Sequence, residues 1–160
     1  MGAISKHISN KEAFKSNTAS RAGIENLPTP FQLENMKMVA NKCFEPLREY
    51  HNDPIYVSSF LRSKALNKIT PGSSRTSQHL QGQYSKIEEG AIDIDMDVYD
   101  NGMTNAEAFH WLKDNVEFDQ LIWEYGDDEN PNWVHISYRK GANRGMVLIK
   151  RSGEKYKLFR

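Results

Sequence analysis

Two short runs alternate apolar and polar residues with a period of two, and each carries ionisable groups on its polar side. In 91–98, AIDIDMDV, Ile92, Ile94 and Met96 share one face while Asp93 and Asp95 share the other. In 133–138, WVHISY, Val134, Ile136 and Tyr138 take one face, and Trp133, His135 and Ser137 the other. This period marks half-buried strands. The chain must therefore build a sheet with one face on a core and a second face that borders either solvent or a polar site.

Around these strands the punctuation is clear. Ser9-Asn10-Lys11-Glu12 has capping-box form and predicts a short helix to about Ser16, followed by an irregular polar stretch over 17–28. Thr29 opens a stronger helix, with Pro30 at its first position and Gln32 completing a capping box. Leu33, Met36, Ala40, Cys43 and Leu47 form its apolar stripe, and Pro46 is expected to kink or end it. Residues 55–60 read as a strand, 62–69 as a short helix and 70–77, TPGSSRTS, as a loop. Thr104-Asn105-Ala106-Glu107 caps a further helix. Strands are expected at 121–125 and 133–138 around the polar connection GDDENPN, and a terminal hairpin at 146–150 and 155–159, turned at Ser152-Gly153. Helices followed by mostly antiparallel strands make an α+β pattern: a small antiparallel sheet with N-terminal helices packed on it. The chain reads as a single domain over 1–160, with an N-terminal arm (1–28), a core (29–138) and a C-terminal hairpin (139–160).

Composition narrows the partners. Lys plus Arg and Asp plus Glu are equal at 21 each, so neither a nucleic acid nor an anionic membrane is expected, and the chain is expected to be a monomer. Cys43 is the sole cysteine, so the fold needs no internal disulfide. Residues 1–20 are polar and hold no apolar run of signal length, which predicts a protein that is cytoplasmic as synthesised.

Of the five histidines, two stand apart. His79 ends a Ser/Thr/Gly-rich loop, and His135 lies on the polar side of its strand. Two imidazoles and a carboxylate match the protein ligands of a catalytic zinc site, which keeps a further position for water. His79, His135 and one of Asp93 and Asp95, which share a strand face, fit that set; over 57 positions, spacing alone is a weak signal.

The local strings are more specific. Ser77-Gln78-His79, followed by Gly82, then Ala91-Ile92-Asp93-Ile94, then Trp133-Val134-His135 resemble, in order, the three ligand-bearing elements of the zinc D-Ala-D-Ala carboxypeptidase and murein peptidase family. Upstream, Ser58-Ser59-Phe60-Leu61-Arg62-Ser63 with Leu66-Asn67 is similar to another segment of that family. The stretch Ser16-x-Thr18-Ala19-x-Arg21-x-Gly23-Ile24-x-Asn26 resembles a phage-type subgroup. The resemblance implies a Hedgehog/DD-peptidase-like fold and a Zn2+ cofactor on His79, Asp93 and His135. It further implies hydrolysis of peptidoglycan peptides by zinc-activated water, as a D,D-carboxypeptidase or an endopeptidase, with Arg62 and Ser77 binding substrate. A phage product of this kind would be released on lysis or be virion-associated. Two departures accompany it. The His79-to-Asp93 interval is fourteen residues where seven is usual, which predicts an insertion over 83–90. Asn132 stands three residues before His135, where a basic carboxylate is usual, which makes Glu129 the expected general base, with Asp128 next and Glu124 set aside on the ground that its strand can hold it away from the metal. The alternative is an inactive zinc-stabilised binding or virion structural module.

Overall fold

The computed structural model describes residues 2–84 and 86–160. The chain opens with a small antiparallel pair, β1 (Ala3–Ser5) and β2 (Ile8–Ser9), and then α1 (Asn10–Phe14), whose capping box forms between Ser9 and Glu12 as expected. The next stretch is not irregular throughout. Asn17–Ala22 form α2, because Ser16 accepts the Ala19 N–H at one end and Gly23, at φ 68°, closes the other in the left-handed conformation. Two good caps here outweigh the missing apolar period.

The helix from Thr29 does not end at Pro46. α3 (Pro30–Val39) runs into a π-helical stretch, Ala40–Phe44, and on into α4 (Glu45–His51). The Glu45 N–H reaches back to the Ala40 carbonyl, and the wider turn brings Pro46 into the first turn of α4, where its missing donor is harmless. The stripe is thus continuous, with Met36, Val39, Ala40, Cys43 and Leu47 all fully buried.

β3 (Tyr56–Ser59), α5 (Lys64–Ile69), β4 (Glu89–Asp95), α6 (Asn105–Asn115), β5 (Gln120–Glu124), β6 (Trp133–Arg139), β7 (Met146–Lys150) and β8 (Lys157–Leu158) complete the chain. Six strands form one sheet in the order β3-β4-β6-β5-β7-β8. The architecture is α+β, but the sheet is mixed, since β5 and β7 run parallel. The connection after β6 passes the start of β5 and sets β7 on its far side, two strands from β6. Asp119, with no exposed surface, fixes that crossing: it accepts the Arg144 backbone N–H and both arms of its guanidinium, at 2.9 and 2.7 Å. The expected insertion is also shorter than predicted, because Glu89 and Gly90 already pair with Arg139 and Tyr138 inside the sheet. Ser85, within that stretch, lies outside the described residues.

The helices cover one face only. Ile92, Ile94, Val134, Ile136, Leu121 and Trp123 meet Met36, Val39, Phe44 and Phe109 in a single core. The opposite face carries the alternate residues of β4, β6 and β5, and it is left open. Among the described residues, no helix is long and apolar enough to cross a membrane.

Candidate metal centre and its cleft

Strand register assembles the site. Asp93 on β4 lies directly opposite His135 on β6, and His135 lies opposite Ile122 on β5. By the two-residue period, Glu124, opposite Trp133, shares this open face. His79 comes from outside the sheet, on a short 3-10 turn, Gln78–Leu80, capped by Ser77.

Buried polar side chains hold that turn against the sheet. The Gln81 amide donates to the carbonyls of Phe60 and Ala91, both at 2.8 Å, and its oxygen accepts the Ala91 N–H at 3.1 Å. From α3, Gln32 donates to the Leu80 carbonyl and Asn35 to that of Gln81. The fit leaves no room beside it: a Cβ at Gly90 would sit 2.5 Å from the Gln81 side-chain oxygen, and one at Gly82, where φ is 78°, would collide with the Ile87 carbonyl. Gln81→Leu therefore strands buried carbonyls and an N–H. The expected loss is about 2–4 kcal/mol in chemical denaturation, with zinc content falling beyond what the stability loss explains.

The three side chains converge. His79 Nε2 is 3.1 Å from one Asp93 oxygen, and His135 Nδ1 is 3.0 Å from the other. All three residues are buried, at 5%, 8% and 7% exposure, and one ligand atom from each lies within 4.8 Å of the others. This spacing suits donors that share one tetrahedral ion. The His79 Nδ1 lies 3.0 Å from the Phe60 carbonyl, a bond that fixes the imidazole with its other nitrogen free for a metal. His135 Nε2 is buried without a hydrogen-bond partner among the described residues. Two imidazole nitrogens, His79 Nε2 and His135 Nδ1, facing the two oxygens of one buried carboxylate fit a metal ligand set. Burial opposes ionisation of Asp93, yet the two histidines hold its carboxyl well below the usual range. Asp95 is not part of the cluster; its carboxylate accepts from Asn105 and from the Asp97 N–H. His7, His51 and His110 lie elsewhere.

The three clustered side chains open into a cleft of about 750 Å3. Arg62 and Ser77 both line it, joined by a 3.2 Å hydrogen bond, and Arg62 also donates to Asn67. Glu129 is not there. The Asp127 carboxylate accepts the backbone N–H groups of Glu129 and Asn130, a self-capped turn that leaves Asp127, Asp128 and Glu129 exposed and off the cleft wall. Asp128 pairs instead with Arg151, and Asn132 is exposed as well. Of the candidate bases, Glu124 is the one on the wall, buried, with its pKa pushed up to about 7 by burial and by the charge of Asp93, against the pull of His135 and Lys150. Sequence reasoning set this residue aside; the only available signal was its place on the face shared with His135, which depends on the β5/β6 register. Tyr156 stands beside it, its phenol pushed up to about 12 by burial and by Glu124, so it remains a donor.

A family model described as Peptidase M15 matches residues 6–137. The chain belongs to the peptidase M15 family. Members of this peptidase family are typically zinc-dependent, and the His79/Asp93/His135 cluster lies within the matched span. No curated protein matches the chain.

Proposed function

We propose that this M15 member is a zinc peptidase that hydrolyses peptidoglycan peptides, with Glu124 as its general base. The observation that carries the reading is the arrangement on one sheet face: a buried carboxylate on β5, raised towards neutrality, in the same cleft as a buried His/Asp/His cluster. A Zn2+ held by His79, Asp93 and His135 would supply Lewis acidity, lowering the pKa of a water and polarising the scissile carbonyl. Glu124 takes the proton from the attacking water as its oxygen bonds to the carbonyl carbon. It then gives that proton to the amine nitrogen as the C–N bond breaks. A carboxyl group poised near the operating pH can perform both transfers. Arg62, held by Ser77 and Asn67, presents its planar donors to the substrate carbonyl or carboxylate. Tyr156 adds a protonated hydroxyl on the same wall.

Glu124 on the facing strand would stand in for the carboxylate that Asn132 lacks, which favours this reading over an inactive module. The motif around Ser16 to Asn26 supports a phage-type member acting on the wall. The test is incubation of the zinc-loaded protein with muropeptides of defined cross-linking. Loss of cross-linked species with the appearance of new amino termini is expected; intact muropeptides at full zinc occupancy would sink the substrate assignment.

A further inference from the structure

The cleft does not stop at the metal ligands. It continues along β6 and β4 to Arg139 and Glu89, each four residues beyond a ligand on the same face, or about 13 Å at strand rise. Three features there have no role in the chemistry above. Arg139 lines the cleft about one third exposed, and its closest carboxylate oxygen, on Glu89, is 4.0 Å from Nε. That leaves the two terminal amino groups of its fork without a hydrogen bond among the described residues. Glu89 is itself engaged by the Gln78 amide at 3.0 Å. Gln78 gives its second donor bond to Asp119 at 2.7 Å, so both neighbouring carboxylates are already engaged.

What this end of the cleft offers a peptide is an underused planar fork. A carboxylate takes such a fork through two parallel bonds. We propose that this end of the cleft is a distal peptide subsite. In it, Arg139 binds a substrate carboxylate about four extended residues from the scissile bond. Arg144, already committed to Asp119, braces the floor. The inference rests on the peptidase reading and narrows it to substrates longer than a dipeptide that carry a remote free carboxylate.

Binding rather than turnover tests it. Glu124→Gln protein with zinc is titrated calorimetrically with a hexapeptide whose only carboxylate is its C-terminus, and with the C-terminal amide. A second pair carries the carboxylate as an N-terminal succinyl cap or replaces it with acetyl, which covers both directions of binding. In one pair the charged member should bind about tenfold to a hundredfold tighter. Adding Arg139→Met, which keeps the aliphatic stem, should reduce that ratio to within about twofold, while Arg139→Lys restores part of it. Equal binding within both pairs, absence of binding by all four, or a ratio that survives Arg139→Met overturns the subsite. Wild-type protein that cleaves the hexapeptides without distinguishing charge keeps the peptidase and loses the subsite. Charge-selective binding without cleavage by the wild type does the reverse.

Discussion

Glu124→Gln should lower peptide hydrolysis by about a hundredfold to ten-thousandfold with the metal content unchanged. The substitution keeps the shape of the side chain and removes only its ability to hold a proton. Glu124 is buried on the cleft wall but is not one of the three clustered ligand residues, so its amide should leave metal binding intact. Stability should hold or rise slightly, because burial already disfavours the charged form. Glu129→Gln is the control. Glu129 is exposed on a turn that Asp127 caps through the backbone, so its loss should change rate and stability by less than about twofold and 0.5 kcal/mol. Single-turnover rates together with elemental zinc analysis check both variants. Equal losses in the two, or zinc lost with Glu124→Gln, would remove Glu124 from the proton-transfer role.

The contrast between these glutamates shows what the chain discloses before folding. The three segments that bring His79, Asp93 and His135 together are legible because each carries a local pattern: a capped turn holding His79, and two strands whose polar faces hold Asp93 and His135. Glu124 carries no such mark. It is eleven residues from His135 along the chain, and only the pairing of Glu124 with Trp133 across β5 and β6 brings it onto the ligand face. Glu129 is nearer in sequence, but Asp127 turns it outward. The same distinction between local and register-dependent information runs through the fold. Caps at Ser9, Thr29 and Thr104 predict helices that form as read. The parallel β5/β7 pairing could not be read, since it depends on Arg144 meeting Asp119 25 residues away. Pro46 misleads for a physical reason as well: the breaking rule assumes an α-helical donor pattern, and the π-helical turn removes that assumption.

Asp93→Ala and Asp95→Ala, two residues apart on one strand, should give opposite outcomes. Asp93 lies within 3.1 Å of both ligand imidazoles, whereas Asp95 is drawn away by Asn105 and the Asp97 N–H. Removing Asp93 takes the sole negative charge from the ligand set and leaves two imidazoles with one carboxylate fewer than a three-ligand catalytic site requires. Zinc per chain should fall from near one to a small fraction, and hydrolysis should fall with it to background. Stability supplies a readout that does not depend on activity. A ligand at about 100 times its dissociation constant stabilises the native state by about 2.7 kcal/mol, which for a chain of this size raises Tm by about 5–10 °C. Added zinc should raise the Tm of the wild type and of Asp95→Ala by that amount, and a chelator should reverse it. Asp93→Ala should show neither shift. His79→Ala and His135→Ala should behave like Asp93→Ala, because each removes one of only three donors. A zinc-dependent Tm retained in Asp93→Ala but lost in Asp95→Ala would move the third ligand two residues along β4. That result would also break the register argument, since Asp93 alone faces His135 across the strand pair.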